Sequence, residues 1–106
     1  MATEIKDLNS YNSINNIDFG EKVIFFKFGG DWCDPCKQLE TNLECIPDLI
    51  LYNIDVENDD FENFTVENNI YTIPHTFVKY KNKTIDFKGV KSVEELTELI
   101  SNLKNK

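Results

Sequence analysis

Between Lys22 and Phe28 the chain reads Lys-Val-Ile-Phe-Phe-Lys-Phe, with β-branched and aromatic residues at odd and even positions alike. A strand at a surface alternates apolar and polar residues, because successive side chains point to opposite faces of the sheet. Here both faces are apolar, so the strand must lie centrally and be covered on both sides, as helices packed on a parallel or mixed sheet cover it. A chain of 106 residues has room for one such core, so residues 1–106 are expected to form a single domain.

The flanking segments supply the cover. Ile5 to Leu8 is a short apolar strand, and Ser10 can cap a helix reaching about Ile17, with Tyr11, Ile14 and Ile17 recurring every third residue. After Gly29-Gly30 a helix is predicted over Cys33 to Glu44, where Leu39 and Leu43 share a side at i, i+4 and Pro35 suits the first turn. Leu49 to Val56 is a second apolar strand, and Phe61 with Phe64 marks a short helix behind Asp59-Asp60. Thr76 to Tyr80 and Thr84 to Phe87 form a hairpin around Asn82-Lys83, with Asn82 the residue that tolerates positive φ in place of a missing glycine. Ser92 and Glu95 make a capping box for a last helix whose stripe is Val93, Leu96, Ile100 and Leu103. The order β-α-β-α-β-α-β-β-α defines an α/β fold with a central mixed sheet of four to five strands and helices on both faces.

Charge and cysteine usage narrow the function. Eleven basic against nineteen acidic side chains give a formal net charge of −8, which repels phosphate backbones and anionic lipid headgroups, so neither nucleic acid nor membrane is an expected partner. Three cysteines, an odd number, do not make a secreted disulfide scaffold and point to a thiol-reducing compartment. Met1 to Asp7 holds no apolar run of signal-peptide length, and Val23 to Phe26 is interrupted by Lys27, so the cytoplasm is the expected location. No nucleotide-binding glycine pattern is present, and the chain is expected to carry no cofactor of that kind.

The chemistry concentrates in Trp32-Cys33-Asp34-Pro35-Cys36-Lys37. Two cysteines three positions apart at a helix start suit dithiol chemistry. The first thiol sits in an exposed N-terminal turn, where unpaired N–H groups and the helix dipole favour a thiolate, and the second is close enough to close a disulfide. Cys33 is then the attacking thiol and Cys36 the resolving one. Pro35 stiffens the turn between them, and Trp32 offers a flat apolar surface to a protein substrate. The same spacing is also half a zinc site, which Cys45 and His75 could complete, although three thiols along one helix make a tetrahedron awkward and no metal is expected.

The residues Phe28 to Lys37, followed by Asn53-Ile54-Asp55, Ile73-Pro74 and Lys88-Gly89-Val90, resemble the thioredoxin family over nearly the whole chain. The resemblance implies the thioredoxin fold and a protein-disulfide reductase working through Cys33 and Cys36. It implies a cis Pro74 packed against the two cysteines, with Ile73 offering its main-chain N–H and C=O to an extended substrate peptide beside Trp32. It further implies a monomer that acts on disulfide-containing proteins. Its electron donor would be an external NADPH-dependent flavin reductase of the thioredoxin reductase kind, with no prosthetic group on the chain itself.

Several residues depart from the family pattern. Asp34 replaces the usual glycine; its carboxylate can cap the helix, and its charge near Cys33 disfavours the thiolate. Lys27 stands where the family has a buried aspartate, and Leu51 where that aspartate has its lysine partner. A lysine between Phe26 and Phe28 must pair with a carboxylate, snorkel or lose its proton, and it is a candidate modulator of Cys36 as a cation or as a base. His75, next to Pro74 with Thr76 displaced by one position, is expected to be chiefly structural, with modulation of the thiols as the other option. Cys45 is expected to be a buried structural thiol. Lys37 follows the motif, and Thr41 removes the proline kink of the family's second helix. The alternative to a reductase is a redox-independent module that keeps the fold and holds a partner on Trp32 and Ile73.

Overall fold

The computed structural model describes residues 4–10 and 20–105. Five strands, β1 (Glu4–Asp7), β2 (Val23–Gly29), β3 (Leu49–Asp55), β4 (His75–Tyr80) and β5 (Lys83–Lys88), are interleaved with three helices, α1 (Asp34–Glu44), α2 (Glu62–Glu67) and α3 (Val93–Lys104). A single 3-10 turn, Asp59–Phe61, leads into α2. The expected helix from Ser10 to Ile17 falls on residues outside those described, apart from Ser10.

The sheet order is β1-β3-β2-β4-β5, which puts β2 in the middle. β2 runs parallel to β3 and antiparallel to β4, and all seven of its residues are buried, as its two apolar faces require. Val23 and Phe25 point to one face and pack with Leu39 and Leu43 of α1 and Leu96 and Leu103 of α3. Ile24, Phe26 and Phe28 point to the other and pack with Tyr52, Ile54, Phe61 and Ile70, with Phe64 of α2 against them. The capping box opens α3 as expected, with Ser92 Oγ accepting the Glu95 N–H at 3.1 Å and Glu95 Oε1 accepting the Ser92 N–H at 3.0 Å.

The hairpin differs from expectation by one position. Tyr80 pairs with Lys83, so the loop is Lys81-Asn82, and the positive φ, +54°, falls on Lys81 and not on Asn82. Strand pairing through Lys83 fixes the register here, and the turn takes whichever residue that register places in it. Thr41 lies within an unbroken α1, its hydroxyl donating to the Lys37 carbonyl at 3.1 Å.

Candidate active site

β2 ends at Gly29, and the chain turns through Gly30, Asp31 and Trp32 into α1. The turn closes with the Cys33 N–H donating to the Gly30 carbonyl at 3.1 Å. A Cβ on Gly30 would stand 2.8 Å from Trp32 Nε1, so glycine there is what lets the indole fold back over the turn. Trp32 itself is 63% exposed.

Cys33 caps α1. Its backbone is extended, and its Sγ accepts the Cys36 N–H at 3.2 Å, meeting one of the unpaired donors of the first turn. Asp34, expected as a possible cap, lies one residue inside the helix in the first turn and is exposed, because the cysteine sulfur already occupies the capping place. Pro35 follows it within that turn. Cys33 and Cys36 form a disulfide with Cα atoms 5.3 Å apart. The first cysteine does not present an open thiol here: Cys33 is disulfide-bonded and only 4% exposed, and Cys36 is 2% exposed.

The Ile73–Pro74 peptide is cis, Pro74 is buried and Ile73 is half-buried. The Pro74 carbonyl accepts the Gly89 N–H at 2.9 Å, tying this loop to Lys88-Gly89-Val90; Gly89, at φ +80°, holds a left-handed conformation that disfavours any side chain. His75 begins β4 and pairs with Phe28. The residue is 2% exposed, its ring stacks on Phe77 at 4.8 Å, and its Nε2 shares a 2.8 Å contact with Asp86 Oδ2. The ring is thus part of the aromatic wall, and its Nδ1 has no hydrogen-bond partner among the described residues.

Lys27 lies on the α1 side of β2, one step beyond the apolar row Leu51–Phe25–Val78, in a polar row Asn53–Lys27–Thr76 across β3, β2 and β4. It is 6% exposed. Its Nζ donates to the Cys36 carbonyl at 3.0 Å and pairs with Glu40 Oε1 at 3.6 Å, and the same oxygen accepts from Asn53 Nδ2 at 2.7 Å. The lysine therefore finds its carboxylate on α1 and also anchors the first turn of that helix. Burial pushes its ammonium below the ordinary lysine range, with Glu40 and then Asp7 pulling it back up. Below pH 10.5 there is accordingly a window in which the unfolded chain binds more protons at Lys27 than the folded one, so this residue adds stability as pH rises through it. Urea unfolding of wild type and Lys27→Met across pH 7 to 10 checks this: the difference between them is expected to move in favour of wild type towards pH 10, and parallel curves would reject it.

Cys45 corrects an expectation. It is exposed, at the C-cap of α1, with Sγ donating to the Thr41 carbonyl at 3.6 Å, because the apolar face of the helix runs through Leu39 and Leu43 and continues to Ile46. Nor are the three cysteines and His75 gathered as metal ligands: among the described residues no group of three or more His, Cys, Asp or Glu side chains converges. Glu40 is a residue of this cluster that no motif singled out, and Asn53 stood in the sequence only as part of the family pattern. The one signal in the sequence is that Glu40 follows Cys36 at i+4, the spacing that puts two helical side chains side by side.

The thioredoxin family model matches residues 4–102. The chain belongs to the thioredoxin family. Thioredoxin domain-containing protein 2 of Rattus norvegicus is 31% identical over 110 residues, which are 98% of this chain and 19% of that protein. Thioredoxin of Gallus gallus is 32% identical over 90 residues, 79% of this chain and 82% of its own. The chain spans about a fifth of the rat protein and 65% of thioredoxin H8 of Arabidopsis thaliana. The crystal structure of chloroplastic thioredoxin z superposes with a TM-score of 0.81 at 16% identity, covering 100% of this chain and 99% of that one, and shows the thioredoxin fold. Thioredoxins work with a redox-active disulfide and no prosthetic group, and Cys33–Cys36 stands in that place.

In this thioredoxin-family chain the sheet abuts the disulfide directly. A Cβ on Gly29 would lie 2.6 Å from Cys36 Sγ and 3.2 Å from Cys36 Cβ. In the disulfide that sulfur is pinned, whereas a free thiol can rotate away. Gly29→Ala is therefore expected to penalise the oxidised form by about 1–3 kcal/mol more than the reduced form. For a two-electron couple that makes the reduction potential less negative by about 20–60 mV, measurable by equilibration with glutathione. An unchanged potential would mean that the strand yields instead of the disulfide.

Proposed function

We propose that the chain reduces protein disulfides through the Cys33/Cys36 dithiol. The observation that carries this is Cys33 Sγ at the N-terminus of α1 accepting the Cys36 N–H, disulfide-bonded to Cys36 beside an exposed Trp32. In the reduced protein the same N–H and the helix dipole favour a Cys33 thiolate. That thiolate attacks one sulfur of a substrate disulfide, forming a mixed disulfide and releasing the other substrate sulfur as a thiolate that takes up a proton. Cys36 then loses its proton and attacks Cys33 Sγ, so that the Cys33–Cys36 bond forms and the second substrate sulfur leaves. Two electrons pass from the dithiol to the substrate.

In this reading Trp32, Ile73 and Pro74 hold the substrate chain, with Ile73 pairing main chain to main chain. Asp34, Pro35, Lys27 and His75 tune the thiols around that contact. Regeneration falls to an NADPH-dependent flavin reductase, and the chain acts as a monomer in a reducing compartment such as the cytoplasm. Among the described residues no helix is long and apolar enough to cross a membrane.

Equilibration with a glutathione or reference-thioredoxin buffer tests the reading. A potential near the roughly −270 mV known for thioredoxin supports a reductase. A value of about −120 to −180 mV would make it an oxidase or isomerase, and failure to cycle would leave a partner-binding module.

A further inference from the structure

Resolution of the mixed disulfide requires Cys36 to lose a proton, yet Cys36 is 2% exposed and its sulfur is pressed against Gly29. The proton must pass to a neighbouring group or to water that group holds. Cys36 lines a cleft of about 370 Å³ at the C-terminal ends of β1, β2 and β3, and the ionisable groups facing it are Asp7 of β1, Lys27 of β2, Asp31 of the turn, Lys37 and Glu40 of α1, and Asp55 of β3.

Of these, Glu40 is the carboxylate carried on the same helix as Cys36. It follows Cys36 by one helical turn on the same face, where Cβ atoms lie about 5–6 Å apart, and helical side chains lean towards the N-terminus, here towards Cys36. Its carboxylate is also fixed from below: Lys27 Nζ, 3.0 Å from the Cys36 carbonyl oxygen, holds Glu40 Oε1 at 3.6 Å, and Asn53 Nδ2 donates to that same oxygen at 2.7 Å. Both contacts use Oε1, which leaves Oε2 without a partner among the described residues. The surroundings are polar beyond these bonds, since Asn53 Oδ1 and Thr76 Oγ1, on either side of Lys27, are buried without hydrogen-bond partners among the described residues.

We propose that Glu40 takes the proton from Cys36, directly or through one water, as Cys36 attacks the mixed disulfide, with Lys27 and Asn53 as the positioning residues that orient its carboxylate. The proton moves from the Cys36 thiol to Glu40, the Cys36 sulfur bonds to Cys33 Sγ, the Cys33–substrate bond breaks, and the departing substrate thiolate takes up a proton from solvent or from Glu40. This rests on the reductase reading above and assigns the base for its second half.

Stopped-flow fluorescence of Trp32, with reduced protein and excess insulin as the disulfide substrate, separates the halves: the concentration-dependent rate reports attack by Cys33, and the saturating rate reports resolution. In Glu40→Gln, which keeps size and a hydrogen-bonding oxygen, the saturating rate at pH 7 is expected to fall at least ~10-fold, consistent with loss of a general base. The difference from wild type should shrink as pH rises and hydroxide takes over the proton from Cys36. The attack rate should stay within about twofold, which also reports that the variant is folded. A carboxylate that acted only through its charge would disfavour the Cys36 thiolate, so its removal would speed resolution. A saturating rate equal to or faster than wild type therefore overturns the proposal. A wild-type protein that reduces no insulin at any pH overturns instead the reading on which it rests.

Discussion

Cys33→Ser is expected to lower protein-disulfide reduction by ~10³-fold or more and to leave no covalent adduct with substrate, whereas Cys36→Ser should stop halfway and accumulate a mixed disulfide. The asymmetry follows from the turn. Cys33 Sγ lies at the cap of α1 and accepts the Cys36 N–H at 3.2 Å, so a negative charge on that sulfur already has a donor. The Cys36 sulfur lies behind it, against Gly29 and under the first turn that Lys27 anchors. Serine at position 33 keeps the cap but offers a hydroxyl, which stays protonated at neutral pH and is a far weaker nucleophile towards sulfur. Serine at position 36 keeps the N–H that steadies the Cys33 thiolate and removes only the resolving sulfur. Intact-mass measurement after mixing each variant with a disulfide substrate decides the matter. An adduct in Cys33→Ser and none in Cys36→Ser would reverse the two roles, and equal adducts in both would abolish the asymmetry.

The parts of this molecule that were legible in the sequence are those whose pattern has one physical solution. Val23 to Gly29, apolar on both faces, could only be central, and Ser92 with Glu95 could only open a helix. The cysteine pair alone also fits half a zinc site, and it was legible because it follows a buried strand, opens a helix and precedes Ile73-Pro74. What escaped were features set by neighbours distant in sequence. The turn residue of the hairpin depended on β4–β5 register, which moved positive φ from Asn82 to Lys81. The exposure of Cys45 depended on where the apolar face of α1 ends. Lys27 was visibly anomalous, but its partner came from a helix thirteen residues on, and Asn53 joined them only because β2 and β3 pair in the observed register. Periodicity along one element cannot disclose a cluster that three elements assemble.

Phe28→Ala is expected to cost about 3–5 kcal/mol, a large part of the roughly 5–15 kcal/mol that holds a domain of this size together. Phe28 is 1% exposed and its ring contacts three others: Phe64 stacked at 5.3 Å, Phe77 edge-on at 5.9 Å and Phe61 edge-on at 6.2 Å. Removing the ring deletes buried apolar surface and strips the remaining rings of their common neighbour, in a core where strands on both sides prevent collapse into the void. The site feels the same loss. Phe28 lies between Lys27 and Gly29, pairs with His75 across β4, and supports Phe77, on which the His75 ring rests at 4.8 Å. The loop carrying Pro74 thus loses its backing along with the core. Urea unfolding followed by circular dichroism should show the midpoint falling steeply in Phe28→Ala and far less in Phe64→Ala, whose parent ring is only partly buried. A loss under about 1 kcal/mol for Phe28→Ala would show that the aromatic cluster repacks to fill the void.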